Sequence, residues 1–422
     1  MVKYKSLKLL NNKSLLNGAL FAGFSFINQG FGFLLLLVLA SYITPTEYGY
    51  LSLFSTIVML LGYFMAMSTQ GYLSIAYFKG DVHQVKETYS VVLFIALLVS
   101  SVLLILFTIA GSFMSKVLSL PLSVLYIGVC ISFLTIFSNL YLDYLRMQMK
   151  VVPYGIFCCG NAILNFIISI LFVKNLLLGW VGRVWAQVFC FLLFGGYALI
   201  FFGWKRGLVK PSLQHVKKML LWGIPLIPHL STNFIRQGCD RYIINSSHTI
   251  EDVGYFSFAL TLSTIISMIG FGFNQSNSVD VYKILGDKNL INQQKYEKLQ
   301  HQRHMYIELY CIISIVVFVC CYFIMPIIMP QYADSMKYFP ILAVYGFLSC
   351  IYLVYTNYLF FYNKTRNIMY ITFGSAVLHL CLSLILTRYS LFLTAILYVA
   401  TQMIVVLLIR YFAKKTLNSD CI

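Results

Sequence analysis

The stretch IRQGCDRYII, residues 235–244, places Arg236, Asp240 and Arg241 within an otherwise apolar run. Guanidinium groups suit oxyanions, which they grip through paired, charge-assisted hydrogen bonds. Arg236 and Asp240 stand four residues apart and share a helical face, so the expectation is that they pair and that Asp240 orients the arginine. Arg241 points about 100° further round the helix, outside that pair. Two readings stand open. These charges lock the helix against a neighbour, with Arg241 reaching to the interface, or they line a polar path with Arg236 as its deepest member.

A few other polar residues interrupt apolar sequence. Asn28, Gln29 and Asn233 are candidates for a polar ligand or for interhelical hydrogen bonds, worth only about 0.6–2 kcal/mol each. Arg183 opens another apolar run and is either a ligand contact or an interface residue. His229 follows Pro225 and Pro228, where lost backbone bonds are expected to kink the helix. His379 is read as a packed, hydrogen-bonded histidine or a proton relay. His301 and His304 lack companions and are assigned no metal. No cofactor is expected, and no nucleotide-binding loop occurs that would make ATP the direct drive.

Composition decides what carries these residues. Of 422 residues, 60% are hydrophobic and only 10% charged, with mean hydropathy +0.83. A soluble domain is about 25% charged, so this is an integral membrane protein. Apolar runs long enough to cross a bilayer as helices lie at roughly 15–40, 49–70, 89–112, 118–142, 154–173, 180–202, 219–245, 254–278, 306–329, 337–361, 368–387 and 390–411. The expected fold class is an all-α polytopic membrane protein of twelve transmembrane helices. The first run is long and lacks a small-residue cleavage site, so it is expected to stay rather than be removed as a signal peptide.

A net charge of +17 would suggest nucleic acid in a soluble chain, but membrane proteins gather Lys and Arg in inner loops. With the N-terminus inside, 23 of the 30 basic residues fall on inner segments, and the outer loops hold only Lys116, Lys174, Lys337 and Arg388. Both termini are therefore expected in the cytoplasm, and nucleic acid is not an expected partner. The basic lead-in MVKYKSLKLL suits the anionic inner leaflet, and the pattern of loop 279–305 suits a short surface helix. The 11 cysteines show neither zinc spacing nor a disulfide framework.

The chain repeats itself. TPTEYGYLS (44–52) aligns without gaps to TIEDVGYFS (249–257), and DYLRMQMK (143–150) to NYLFFYNK (357–364), with Gly160 matching Gly374 and Ala162 matching Ala376. Each half begins and ends on the same side, so the repeats are parallel, a transporter architecture. The expected organisation is a six-helix lobe over 1–203, a cytoplasmic linker over 204–218 and a second six-helix lobe over 219–422.

SYITPTEYGYLSLFSTIVMLLG followed by GYLSIAYFK resembles the start of the Wzx-type polysaccharide flippases of the multidrug/oligosaccharidyl-lipid/polysaccharide exporter superfamily. GIPLIPHLSTNFIRQGCDRYIIN, GRVWAQ (182–187) and the run around the tenth span resemble the same family, so the likeness covers nearly the whole chain. In the eleventh span that family often carries two Asn and a Gly-rich turn; here the stretch reads LHLCLSLILTRYSLFLTAIL. The resemblance implies two lobes around a central cavity lined by the first and seventh helices. It further implies a non-enzymatic flippase for undecaprenyl-pyrophosphate-linked oligosaccharide, an O-antigen or capsule-type repeat unit, in the bacterial inner membrane. Arg236, Arg241, Asp240, Asn28, Gln29, Asn233 and Arg183 would then be the substrate-binding residues. A polysaccharide polymerase and a chain-length regulator would be membrane partners. The alternatives are a multidrug/cation antiporter on the same fold, which would want buried carboxylates in its spans, and a flippase for a peptidoglycan-precursor lipid.

Overall fold

The computed structural model describes residues 2–79, 82–287 and 289–421. Among them every regular element is helical. Apolar runs in hydrocarbon require this, because their N–H and C=O groups find no water and must be satisfied internally. Eleven helices among the described residues are long and apolar enough to cross a membrane, so this is a multi-pass membrane protein. By contacts the chain divides into two compact units, Met1–Ile43 with Leu53–Ser231, and Thr44–Ser52 with Thr232–Ile422.

The first unit holds α1 (Val2–Ala40), most of α2 (Pro45–Met65), α3 (Tyr72–Lys79), α4 (Val82–Ile109), α5 (Gly111–Leu118) and α6 (Leu122–Met147). It continues through α7 (Val151–Ile170), α8 (Gly179–Ile200), α9 (Leu213–Gly223) and α10 (Ile227–Leu230). Helix α6 packs on α4 and α8, and α7 packs on α1 and α8. Both α7 and α8 end in π-helical turns, Leu171–Asn175 and Phe201–Gly207. Ser212 caps α9 by accepting from the His215 backbone N–H at 3.2 Å, and its own hydroxyl donates to Glu87 Oε1 at 2.6 Å. That pair ties the start of α9 to α4.

The second unit holds the first turns of α2, then α11 (Cys239–Ser247), α12 (Ile250–Gly286), α13 (Asn292–Ile328), α14 (Phe339–Phe361), α15 (Thr365–Leu386) and α16 (Leu391–Cys421). Helix α14 is its centre and packs on α12, α13 and α16. Close approach of α12 and α14 rests on small residues, since a Cβ at Gly346 would press on the Ser263 carbonyl and one at Gly270 on the Cys350 side chain.

The two sequence echoes fold alike. Thr44 with Glu47, and Thr249 with Asp252, each form a reciprocal capping box that satisfies the first N–H groups of α2 and α12. At the other echo, α6 and α14 exit through the same left-handed residue, Met149 at φ 55° and Asn363 at φ 56°. The closing bonds match as well: Lys150 N–H to Leu145 O at 2.9 Å, and Lys364 N–H to Leu359 O at 2.8 Å. In the second unit the capped turns meet backbone to backbone, because a Cβ on Gly254 would collide with the Pro45 carbonyl and one on Gly49 with the Ile250 carbonyl.

Two expectations need correction. The run 219–245 is not one uniform α-helix: it passes through α9, a 3₁₀ turn at Ile224–Leu226, α10, a π-helical turn at Phe234–Gly238 and α11, with the junction residues Ile224, Ile227, Asn233 and Cys239 in right-handed helical backbone. Pro225 and Pro228 each remove a backbone donor, and the run is not among the eleven. Loop 279–305 also holds no separate surface helix, because α12 runs on to Gly286 and α13 starts at Asn292. Each of these helices is 37 residues long, about 55 Å, well beyond a hydrocarbon core of about 30 Å. The His229 side chain and those of the N-terminal basic lead-in lie outside the described residues.

Replacing Gly254 by Leu should abolish the close junction with Pro45 and sharply lower the yield of monodisperse protein in detergent. Gly374→Ala, where the added Cβ meets nothing within 4 Å, should leave the melting temperature unchanged or slightly raised. Size-exclusion profiles and thermal unfolding of the two variants check both outcomes.

Candidate functional site

In the second unit the chain enters through the π-helical turn Phe234–Gly238 and continues as α11. Such turns often mark functional sites. Here the turn carries Arg236 and delivers Asp240 to the start of α11, against α15.

Asp240 has no exposed surface. A carboxylate so placed must be met by donors, or its charge is lost to desolvation. Two donors meet it: His379 Nε2–H at 2.8 Å and the Ser383 hydroxyl at 2.5 Å. With Nε2 committed to the carboxylate, His379 presents Nδ1 to Thr401 Oγ1 at 3.0 Å. The chain of hydroxyls continues from Ser383 to Thr387 at 3.0 Å and from Thr394 to Thr387 at 2.9 Å.

Arg236 reaches the same network from the other side. Its Nη1 donates to Gln402 Oε1 at 2.6 Å and its Nη2 to Thr401 Oγ1 at 3.2 Å, and its guanidinium lies 5.4 Å from the centre of the Tyr345 ring. All these partners are neutral. Arg236 Nε is buried and has no acceptor, and none of the ion pairs among the described residues includes this arginine. The Tyr398 hydroxyl donates to the Arg236 carbonyl at 3.1 Å and its ring packs on His379, which fixes the turn in place. Arg241 turns elsewhere and donates to the Ser52 carbonyl at 3.3 Å.

The expected Arg236–Asp240 pair is therefore absent. Each charge has nearer partners on the last two helices, the carboxylate on α15 and the guanidinium on α16, so Asp240 does not orient the arginine. Thr401 joins them indirectly by contacting both Arg236 and His379. Of the other candidates in this unit, Asn233 is exposed. In the first unit, Asn28 is half-buried, Gln29 is exposed, and Arg183 hydrogen-bonds to Asn165 and Ser169.

The stretch that lacks two Asn and a Gly-rich turn is polar after all. Ser375, His379 and Ser383 on α15 and Thr387 at its C-cap recur every fourth residue, and all are buried. That i, i+4 spacing was the available signal; Thr401 and Gln402 on α16 carried none, being one adjacent polar pair in an apolar run.

An all-helical membrane protein with a duplicated half and an interrupted seventh segment belongs to a recognisable class of folds. The structure is similar to an inward-facing multidrug resistance MATE family transporter of the MOP superfamily, with TM-score 0.72 at 14% identity over 95% of this chain and 94% of that one. It is also similar to a MOP superfamily transporter from Pyrococcus furiosus Vc1, with TM-score 0.61 at 13% identity over 95% of each chain. At such identities the likeness is one of fold. The family model described as polysaccharide biosynthesis protein matches residues 15–278, more than half of the chain, and the chain belongs to that family. A curated relative, Lsg locus putative protein 1 of Haemophilus influenzae, is 24% identical over 188 residues, and the match spans 42% of this chain and 45% of that protein.

Asp240→Ala strands His379 and Ser383 without their shared acceptor and should destabilise the protein by roughly 3–5 kcal/mol, whereas the double change Asp240→Leu with His379→Leu should recover much of it. Denaturant or thermal unfolding in micelles measures both.

Proposed function

We propose that the protein is a lipid-linked oligosaccharide flippase, moving undecaprenyl-pyrophosphate-linked repeat units from the inner to the outer leaflet of the bacterial inner membrane. Alternating access carries the cycle, and the product feeds O-antigen or capsule-type polysaccharide. Membership of the polysaccharide biosynthesis family supports the substrate class, and the fold supports transport rather than catalysis.

One observation carries the reading: Arg236 is a guanidinium inside a membrane segment, held by neutral groups only, with one N–H unused. Its charge remains for a ligand. A pyrophosphate carries about two negative charges, and stripping these of water in hydrocarbon costs tens of kcal/mol by Born estimates. Guanidinium donors replace that hydration with charge-assisted bonds. Arg236 holds the diphosphate with Arg241 nearby in sequence, while Asn28, Gln29 and Asn233 meet sugar hydroxyls and Arg183 accompanies the head group outward. The polyprenyl tail stays in lipid. Both termini face the cytoplasm, the lobes span 1–203 and 219–422, and a polymerase and chain-length regulator take the product. An inside-negative potential favours outward movement of the anion by roughly 2.3 kcal/mol per charge per 100 mV.

A cation antiporter would offer its ligand an unengaged carboxylate, and Asp240 is fully engaged. The test uses proteoliposomes carrying a synthetic polyprenyl-pyrophosphate oligosaccharide and a membrane-impermeant sugar-modifying probe. Wild type should exchange the lipid between leaflets, Arg236→Ala should lose about tenfold or more, and Arg236→Lys, a point charge without the planar fork, should fall between. Equal exchange by wild type and Arg236→Ala moves the diphosphate site elsewhere. No exchange by wild type, with cationic dye uptake under a pH gradient instead, replaces the reading with the antiporter.

A further inference from the structure

A second polar constellation lies in the first unit, along the contact of α7 with α8. Asn161, Asn165 and Ser169 recur at four-residue spacing on α7, and Arg183 and Gln187 do so on α8, so each set forms one stripe about 6 Å per step along its helix. The stripes face each other: Arg183 Nη1 donates to Ser169 Oγ at 2.9 Å and also to Asn165 Oδ1, and the Ser169 hydroxyl donates to Asn165 Oδ1 at 3.3 Å. One turn further along each stripe, Asn161 Oδ1 and Gln187 Oε1 are buried with no hydrogen-bond partner.

The seam is unbalanced in two ways. Its one charge has no counter-charge: the described carboxylates of this unit are Glu87, bound to Ser212, and Asp143, bound to Arg146. Arg183 Nε and Nη2 donate to no described residue. Its two enclosed amide oxygens, in turn, are acceptors that lack donors, a costly state for buried polar atoms. An anion without hydroxyls, such as sulfate, would answer the guanidinium and leave the amide oxygens unmet. A neutral sugar would answer the amides and leave the charge. A hydroxyl-bearing carboxylate answers both, its carboxylate across the Arg183 fork and its hydroxyls on Gln187 and Asn161.

We infer that the Arg183–Gln187 and Asn161–Ser169 stripes form a subsite for an acidic sugar, a pyranose carrying a carboxylate. The inference rests on the flippase reading and narrows its substrate to glycans containing such a residue. The seam is closed over the two amide oxygens here, so a sugar enters only where α7 and α8 separate.

The test is direct binding, read without transport. Trp180 and Trp185 bracket Arg183 in α8 and report through intrinsic fluorescence. Purified full-length protein is titrated with methyl glucuronide and with methyl glucoside. Wild type should bind the glucuronide about fivefold or more tightly than the glucoside, R183Q should erase the difference, and R183K should keep most of it. Gln187→Ala should weaken both sugars. Equal binding of the two sugars by wild type, or a preference that survives in R183Q, overturns the subsite. Selective glucuronide binding without leaflet exchange of any lipid-linked glycan upholds the subsite and sinks the flippase reading. Exchange without selectivity does the reverse.

Discussion

A charge in a membrane segment must be answered inside the protein, and this constraint organises the second unit. Asp240, with no surface exposed, is the most demanding group in the interrupted segment. His379 and Ser383 answer it, which ties α11 to α15. Thr401 then ties α15 to α16 by contacting His379, and reaches Arg236 as well. Three helices and a π-helical turn are thus held by one branching set of hydrogen bonds. Such a set is stiff while complete and sensitive at each member, because a half-satisfied buried network is worse than none.

The same arrangement separates the roles of two neighbouring charges. Had Asp240 paired with Arg236, the segment would be electrically closed and suited only to packing. The carboxylate is absorbed by α15 instead, and the arginine keeps a positive charge amid neutral oxygen atoms and an aromatic face.

Duplication contributes the frame. The capping boxes at Thr44 and Thr249 and the left-handed exits at Met149 and Asn363 recur with nearly equal hydrogen-bond lengths, although the residues differ: Glu47 is matched by Asp252, and Met149 by Asn363. What is kept is the backbone chemistry of helix ends. Two glycines, Gly49 and Gly254, are kept for a packing reason, since each sits where the opposite backbone passes.

Composition and periodicity determined that this is a helical membrane protein, because some 20 apolar residues in a row have one way to satisfy their backbone in lipid. The repeat was legible in TPTEYGYLS and TIEDVGYFS, because capping needs particular side chains at fixed spacing. The charged stretch at 235–244 could be singled out for the same reason: charge amid apolar residues is conspicuous in one dimension. Its partners could not be found that way. Spacing along a single helix favoured Arg236 with Asp240, whereas the actual contacts run from 240 to 379 and from 236 to 401 and 402. Which neutral oxygen or imidazole stands nearest a charge depends on how helices pack. That choice, and with it which charge has only neutral partners, was made only by the tertiary structure.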